Sequence, residues 1–118
     1  MRPFLEPDST LAAARARAAA GAWGEVRALL DGAASAASPH RLALLGEACL
    51  RTGDATTARL WLGEARPALR RAGDAATQRA VTNMLGAAAF SLGDLRTAAE
   101  AFEEARTLAE RDADALLE

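Results

Sequence analysis

The chain carries one histidine and one cysteine, and their isolation limits the chemistry open to it. His40 follows Pro39 in the first turn of an expected helix, with no second His and no Cys beside it in sequence. A zinc site of ordinary composition is therefore not available. A Ser-His-Asp relay is excluded on the same ground, because its only possible base sits in a capping turn. Cys49 lies within an apolar stripe of helical spacing, where a thiol packs as a small hydrophobe. Being alone it makes no internal disulfide, which fits a reducing compartment. The acidic residues are spread as helix caps and surface charges, such as Glu103 and Glu104 beside Arg106. The glycines stand singly rather than in a phosphate-cradling loop. Nothing in this inventory argues for an enzyme, a metal or another cofactor.

Arginine is the remaining reactive class. All 14 basic residues are Arg, Ala and Gly are abundant, and Asn83 is the single Asn. That bias is expected of a GC-rich bacterial genome and says nothing about a functional preference for guanidinium. Arg66, Arg70, Arg71 and Arg79 cluster around an expected turn. Arg near a helix C-terminus complements the helix dipole, so a solvated helix end accounts for the cluster; the alternative is a phosphate or acidic-partner site. With a net charge of −2, no nucleic acid and no anionic membrane is expected as the main partner. Met1 to Pro7 holds two prolines and a Glu, and Arg15 and Arg17 interrupt the Ala-rich stretch from Leu11 to Ala20. Neither a leader nor a membrane span is expected, and the cytoplasm is the default location.

The elements that must position these side chains are helices. Half of the 118 residues are apolar, mostly Ala, with no Ile or Tyr and only three Phe and two Trp. Ala favours helix and β-branched residues are scarce, so an all-α domain is expected. No segment alternates with period two. The first helix is expected over about Ser9 to Ala20, capped by Asp8 or Ser9 and stopped by Gly21. The second starts near Trp23 and carries Val26, Leu29 and Leu30, fraying after Gly32 toward Ser38. Ser38-Pro39 starts a third that runs to about Thr52 with Leu42, Leu45, Cys49 and Leu50 on one stripe. Gly53-Asp54 stops it and caps a fourth, roughly Ala55 to Arg71, which Pro67 should kink or end early. Gly73-Asp74 and Gly93-Asp94 repeat the stop-and-cap pattern around a fifth helix to about Leu92 and a sixth from Leu95 to Arg111.

One motif occurs twice, 40 residues apart. Leu45, Gly46, Cys49, Gly53, Asp54, Ala58 and Leu62 are matched by Leu85, Gly86, Ala89, Gly93, Asp94, Ala98 and Phe102. A fixed period of this kind marks a repeat architecture. The spacing resembles the tetratricopeptide repeat (TPR) family, in the extended variety of about 40 residues found in bacterial regulators. The resemblance implies a right-handed helical-hairpin solenoid of about three TPR-like repeats, near residues 7–38, 39–73 and 74–112. It places Gly46 and Gly86 at close helix crossings opposite Ala58 and Ala98, and Leu62 and Phe102 in the wedge between hairpins. Ala65 and Ala105 take the next small position. In a worn first copy Gly21, Val26, Leu30 and Ala33 stand in register, with Ala13 and Ala14 replacing Leu-Gly. The family's closing Pro is replaced by Arg70 and Glu110, and the period exceeds 34 residues by Gly73 to Gln78. Shifting Asp74 by 40 residues reaches Asp114, so residues 113–118 read as a tail or the start of a fourth repeat.

The resemblance also implies what such an array does, which is to bind a protein or peptide on the inner, concave face. The groove-facing positions would be Arg15; Ala43, Glu47, Leu50 and Arg51; and Asn83, Ala87, Phe90 and Ser91. Asn83 would clamp a peptide amide, Phe90 would form an apolar floor, and Arg15 and Arg51 would meet acidic groups. An ordinary solvated face is the alternative for the same residues. Capture of a C-terminal carboxylate is not expected, since Lys is absent. The alternative for the whole chain is a sensory or oligomerisation segment of a larger transcriptional regulator or signalling ATPase. Self-association through the uncovered last helix is a further expectation. A helix-turn-helix over Leu45 to Leu62 would look similar locally, but the same spacing at Leu85 to Phe102 makes a repeat the better account.

Overall fold

A computed structural model describes residues 8–32 and 38–117. These residues form six helices: α1 (Ser9–Ala19), α2 (Trp23–Asp31), α3 (Pro39–Arg51), α4 (Ala55–Ala72), α5 (Ala75–Ser91) and α6 (Leu95–Leu117). There is no strand among the described residues, so the chain is all-α, as its composition implies.

The helix ends explain the hairpins. Gly21, Gly53, Gly73 and Gly93 have φ of +77°, +85°, +73° and +81°, the left-handed conformation that glycine adopts without a side-chain penalty. After three of them an Asp follows, and its backbone N–H reaches back to the helix just ended: Asp54 to Cys49, Asp74 to Leu69 and Asp94 to Ala89. This closes one helix. The same Asp then opens the next, its carboxylate accepting from the N–H of Thr57, Thr77 or Thr97. Asp8 and Ser38 cap α1 and α3 in the same way.

The hairpins α1–α2, α3–α4 and α5–α6 stack in order, each second helix packing on the first helix of the next hairpin. The first helices α1, α3 and α5 also touch in succession, so they share one face of the array. A single core cluster runs through the stack, from Ala14 and Leu30 through Leu45, Cys49 and Leu62 to Leu69 and Val81. Each fully buried Leu contributes about 1.5–3 kcal/mol relative to exposure. Alanines fill the spaces between these anchors, as close helix approach demands.

Three local expectations are corrected. α4 does not end at Pro67 but continues to Ala72. The proline ring crowds the carbonyl four residues earlier, which belongs to Gly63. Ala65 and Leu69, both fully buried, hold the helix to the core on either side. Of the excess Gly73 to Gln78, Gly73 and Asp74 form the turn while Ala75 to Gln78 are the first turn of α5, and α4 and α5 are long, 18 and 17 residues against 13 in α3. Finally, α6 passes through Asp114 without a break, because Arg111 to Leu117 contains no glycine to stop it. The expected frayed stretch at Ala33 to Ala37 lies outside the described residues, as does Glu118.

Candidate functional site

The shared face of α1, α3 and α5 holds a groove of about 280 Å³. Arg15 comes from α1, Ala43, Leu44 and Glu47 from α3, and Ala76, Thr77, Ala80 and Met84 from α5, with His40 at one end. Helical spacing explains the convergence. Ala76, Ala80, Asn83, Ala87 and Phe90 follow one another at intervals of four and three, which keeps them on one side of α5. Ala43, Glu47 and Leu50 do the same on α3.

The sequence-derived residues divide within this frame. Arg15 and Glu47 line the groove together. Arg15 makes no ion pair with another described residue, and it is exposed. Arg51 is tied to Glu47 at 3.3 Å one turn away and stacks 5.1 Å from the ring centre of Trp23. Leu50 is partly buried against the core, so it supports the face more than it offers surface. Ala87 is half-buried, and Phe90, 64 % exposed, stands at the end of α5. Asn83 lies in a different depression, about 340 Å³, between α5 and α6, with Phe102, Ala105 and Ala109. Ala80 lines both hollows and joins them.

Sequence reading missed the contacts that tie neighbouring hairpins together through their capping residues. Each capping Asp is also bridged to a basic residue on a neighbouring hairpin. Arg41 on α3 donates to Asp8 through Nε and Nη2, both at 2.7 Å, and His40 Nε2 lies 2.7 Å from Asp74. On the opposite side Arg27 reaches Asp54 at 2.7 Å and Arg59 reaches Asp94 at 3.0 Å. The signal was present as an Asp cap with an Arg or His some 27 to 35 residues away, yet only the hairpin stacking makes those distances short. These contacts leave the carboxylates acidic. Asp8 is lowered to about 2, chiefly by Arg41, and Asp74 to about 2, chiefly by His40 and then by the Thr77 N–H and hydroxyl.

Nothing matches this chain: no family model, no curated protein and no solved structure.

The arginine cluster dissolves on folding. Arg66 pairs with Glu104 and Arg79 with Asp112 at 2.9 Å, both across to α6, while Arg70 and Arg71 remain exposed in the last turn of α4. Cys49 is fully buried, and that burial pushes its thiol up, away from the reactive thiolate. Among the described residues no three His, Cys, Asp or Glu side chains gather as a metal site, and no helix is long and apolar enough to cross a membrane. The groove therefore offers an amphipathic strip, with Ala and Met on the floor and opposite charges at the rim.

Proposed function

We propose that the chain is a TPR-like protein-interaction module that holds a peptide or partner segment along the face of α1, α3 and α5. The observation that carries this reading is the joining of three successive hairpins into one groove, with Arg15 from the first, Glu47 from the second and Ala80 and Met84 from the third. A groove built from equivalent positions of stacked hairpins suits an extended or helical segment, because contacts recur along its length. Affinity comes from the alanine and methionine floor, and Met adapts to differing side chains. Arg15, the guanidinium on this face without a charged partner among the described residues, favours an acidic residue in the ligand.

The test is selection of acidic and amphipathic 12-residue-class peptides from a displayed library on the full chain. The selected peptides should lose at least about tenfold in affinity, roughly 1.4 kcal/mol, on the variant combining Arg15→Glu, Asn83→Ala and Phe90→Ala. All three residues are exposed, so helical content by circular dichroism should be unchanged. Peptides that bind the folded variant as well as the parent would refute the groove, as would a selection that enriches nothing.

A further inference from the structure

α6 carries a further surface, part of which, at Phe102, Arg106 and Ala109, borders the depression that holds Asn83. Leu95, Ala99, Phe102, Ala109, Ala113 and Leu116 follow at alternating intervals of four and three once Arg106 is counted between Phe102 and Ala109. That is the spacing of a seam that packs along another helix. The seam is open: Leu95 is 62 % exposed, Phe102 40 % and Leu116 88 %. The corresponding face of the middle hairpin is closed. Leu62, Ala65 and Leu69 precede Phe102, Ala105 and Ala109 by 40 residues, and all three are fully buried in one cluster with Val81 of α5. This kind of face is thus one that the fold covers with a helix.

We propose that the covering helix is α6 of a second copy, packed antiparallel about a two-fold axis between Ala105 and Arg106. The seam reads nearly the same in both directions about that point. Leu95 falls opposite the second copy's Leu116, Phe102 opposite its Ala109, and Ala99 close to its Ala113, so the largest ring meets a small residue twice. Charge selects the orientation. Arg96 and Asp114 lie on one flank of the seam, and neither forms an ion pair among the described residues. Antiparallel pairing sets Arg96 of each copy beside Asp114 of the other, whereas parallel pairing would put the two flanks on opposite sides of the interface and form no such link. Arg106 is the charged member of the seam and lies at the axis, already held by Glu103 and Glu110 of its own helix. A polar layer at the centre of an apolar seam fixes register. The interface is isologous and closes at two copies.

The experiment is sedimentation equilibrium of the full chain up to about 0.5 mM, a range that reaches weak dimers. A monomer–dimer equilibrium is expected, with the dissociation constant raised at least about tenfold by Ala113→Arg, an exposed position where helical content should not change. Arg96→Glu and Asp114→Arg should each weaken self-pairing. Mixed one to one, they should form a heterodimer close to parental strength, because both salt links are then present, one as in the parent and the other with its charges exchanged. A chain that stays monomeric, a dimer indifferent to Ala113→Arg, a mixture that does not recover, or assembly growing past two copies would each overturn the proposal.

Discussion

Gly86 and Phe102 fit each other across the α5–α6 crossing: a Cβ on Gly86 would lie 2.7 Å from Phe102 Cε1 and 2.8 Å from its Cδ1. One hairpin earlier, a Cβ on Gly46 would lie 2.5 Å from Leu62 Cγ and 2.6 Å from its Cδ2. All four distances are too short for real contact, so glycine at these crossings is a packing requirement and not a backbone one. The two copies of the motif therefore share a mechanical meaning, in which the large residue of the second helix occupies the space that glycine leaves on the first.

The surroundings of the two pairs differ, and so should their tolerance. Leu62 is fully buried, while Phe102 is 40 % exposed and its ring has solvent to move into. Gly46→Ala should cost about 1–3 kcal/mol, the range for overpacking, and Gly86→Ala distinctly less. Urea unfolding midpoints of the two variants decide it, and equal losses would mean that Phe102 is as confined as Leu62.

The bridged caps separate two interactions that meet at one residue. Arg27→Ala removes partly exposed ion pairs to Asp54 and Asp31 and a long contact to the Thr52 hydroxyl, pairs worth about 0–1 kcal/mol. Asp54→Ala removes its pair with Arg27 together with the cap on the Thr57 N–H, and caps are worth about 0.5–2 kcal/mol. Thermal unfolding should rank Asp54→Ala well below Arg27→Ala. The same order should hold for Asp94 and Arg59, which are joined in the same way; a reversed order at both sites would assign the stability to the ion pair.

Acid should loosen the array in a defined window. Asp8 and Asp74 are lowered from 3.8 to about 2 in the folded chain, so the unfolded chain takes up their protons first as pH falls. Their stabilisation is complete above about pH 4 and disappears between about pH 4 and pH 2. In Asp74→Asn that part of the loss should be missing, which would flatten the dependence of the urea midpoint on pH. An unchanged slope would show that the His40–Asp74 contact does not persist in solution.

Much of this molecule is legible along the chain because it depends on neighbours in sequence. Six helices, their Asp and Ser caps and the left-handed glycines at positions 21, 53, 73 and 93 all follow from local rules, and the family resemblance carried by the 40-residue motif implies that Gly46 and Gly86 stand at close crossings. What local rules could not decide is whatever depends on stacking. Pro67 reads as a breaker, yet the core grips Ala65 and Leu69 around it and the helix continues. Asp114 reads as a new cap, yet with no glycine before it α6 simply runs on. Arg66 and Arg79 read as part of one basic cluster, yet each finds a carboxylate on α6. Asn83 and Arg15 read as parts of one face, and only the packing of α6 beside α5 places them in two hollows joined at Ala80. Periodicity assigns a residue to a side of its own helix; which residues meet across helices is set by how the hairpins lie on one another, and those distances exist only after the core has closed.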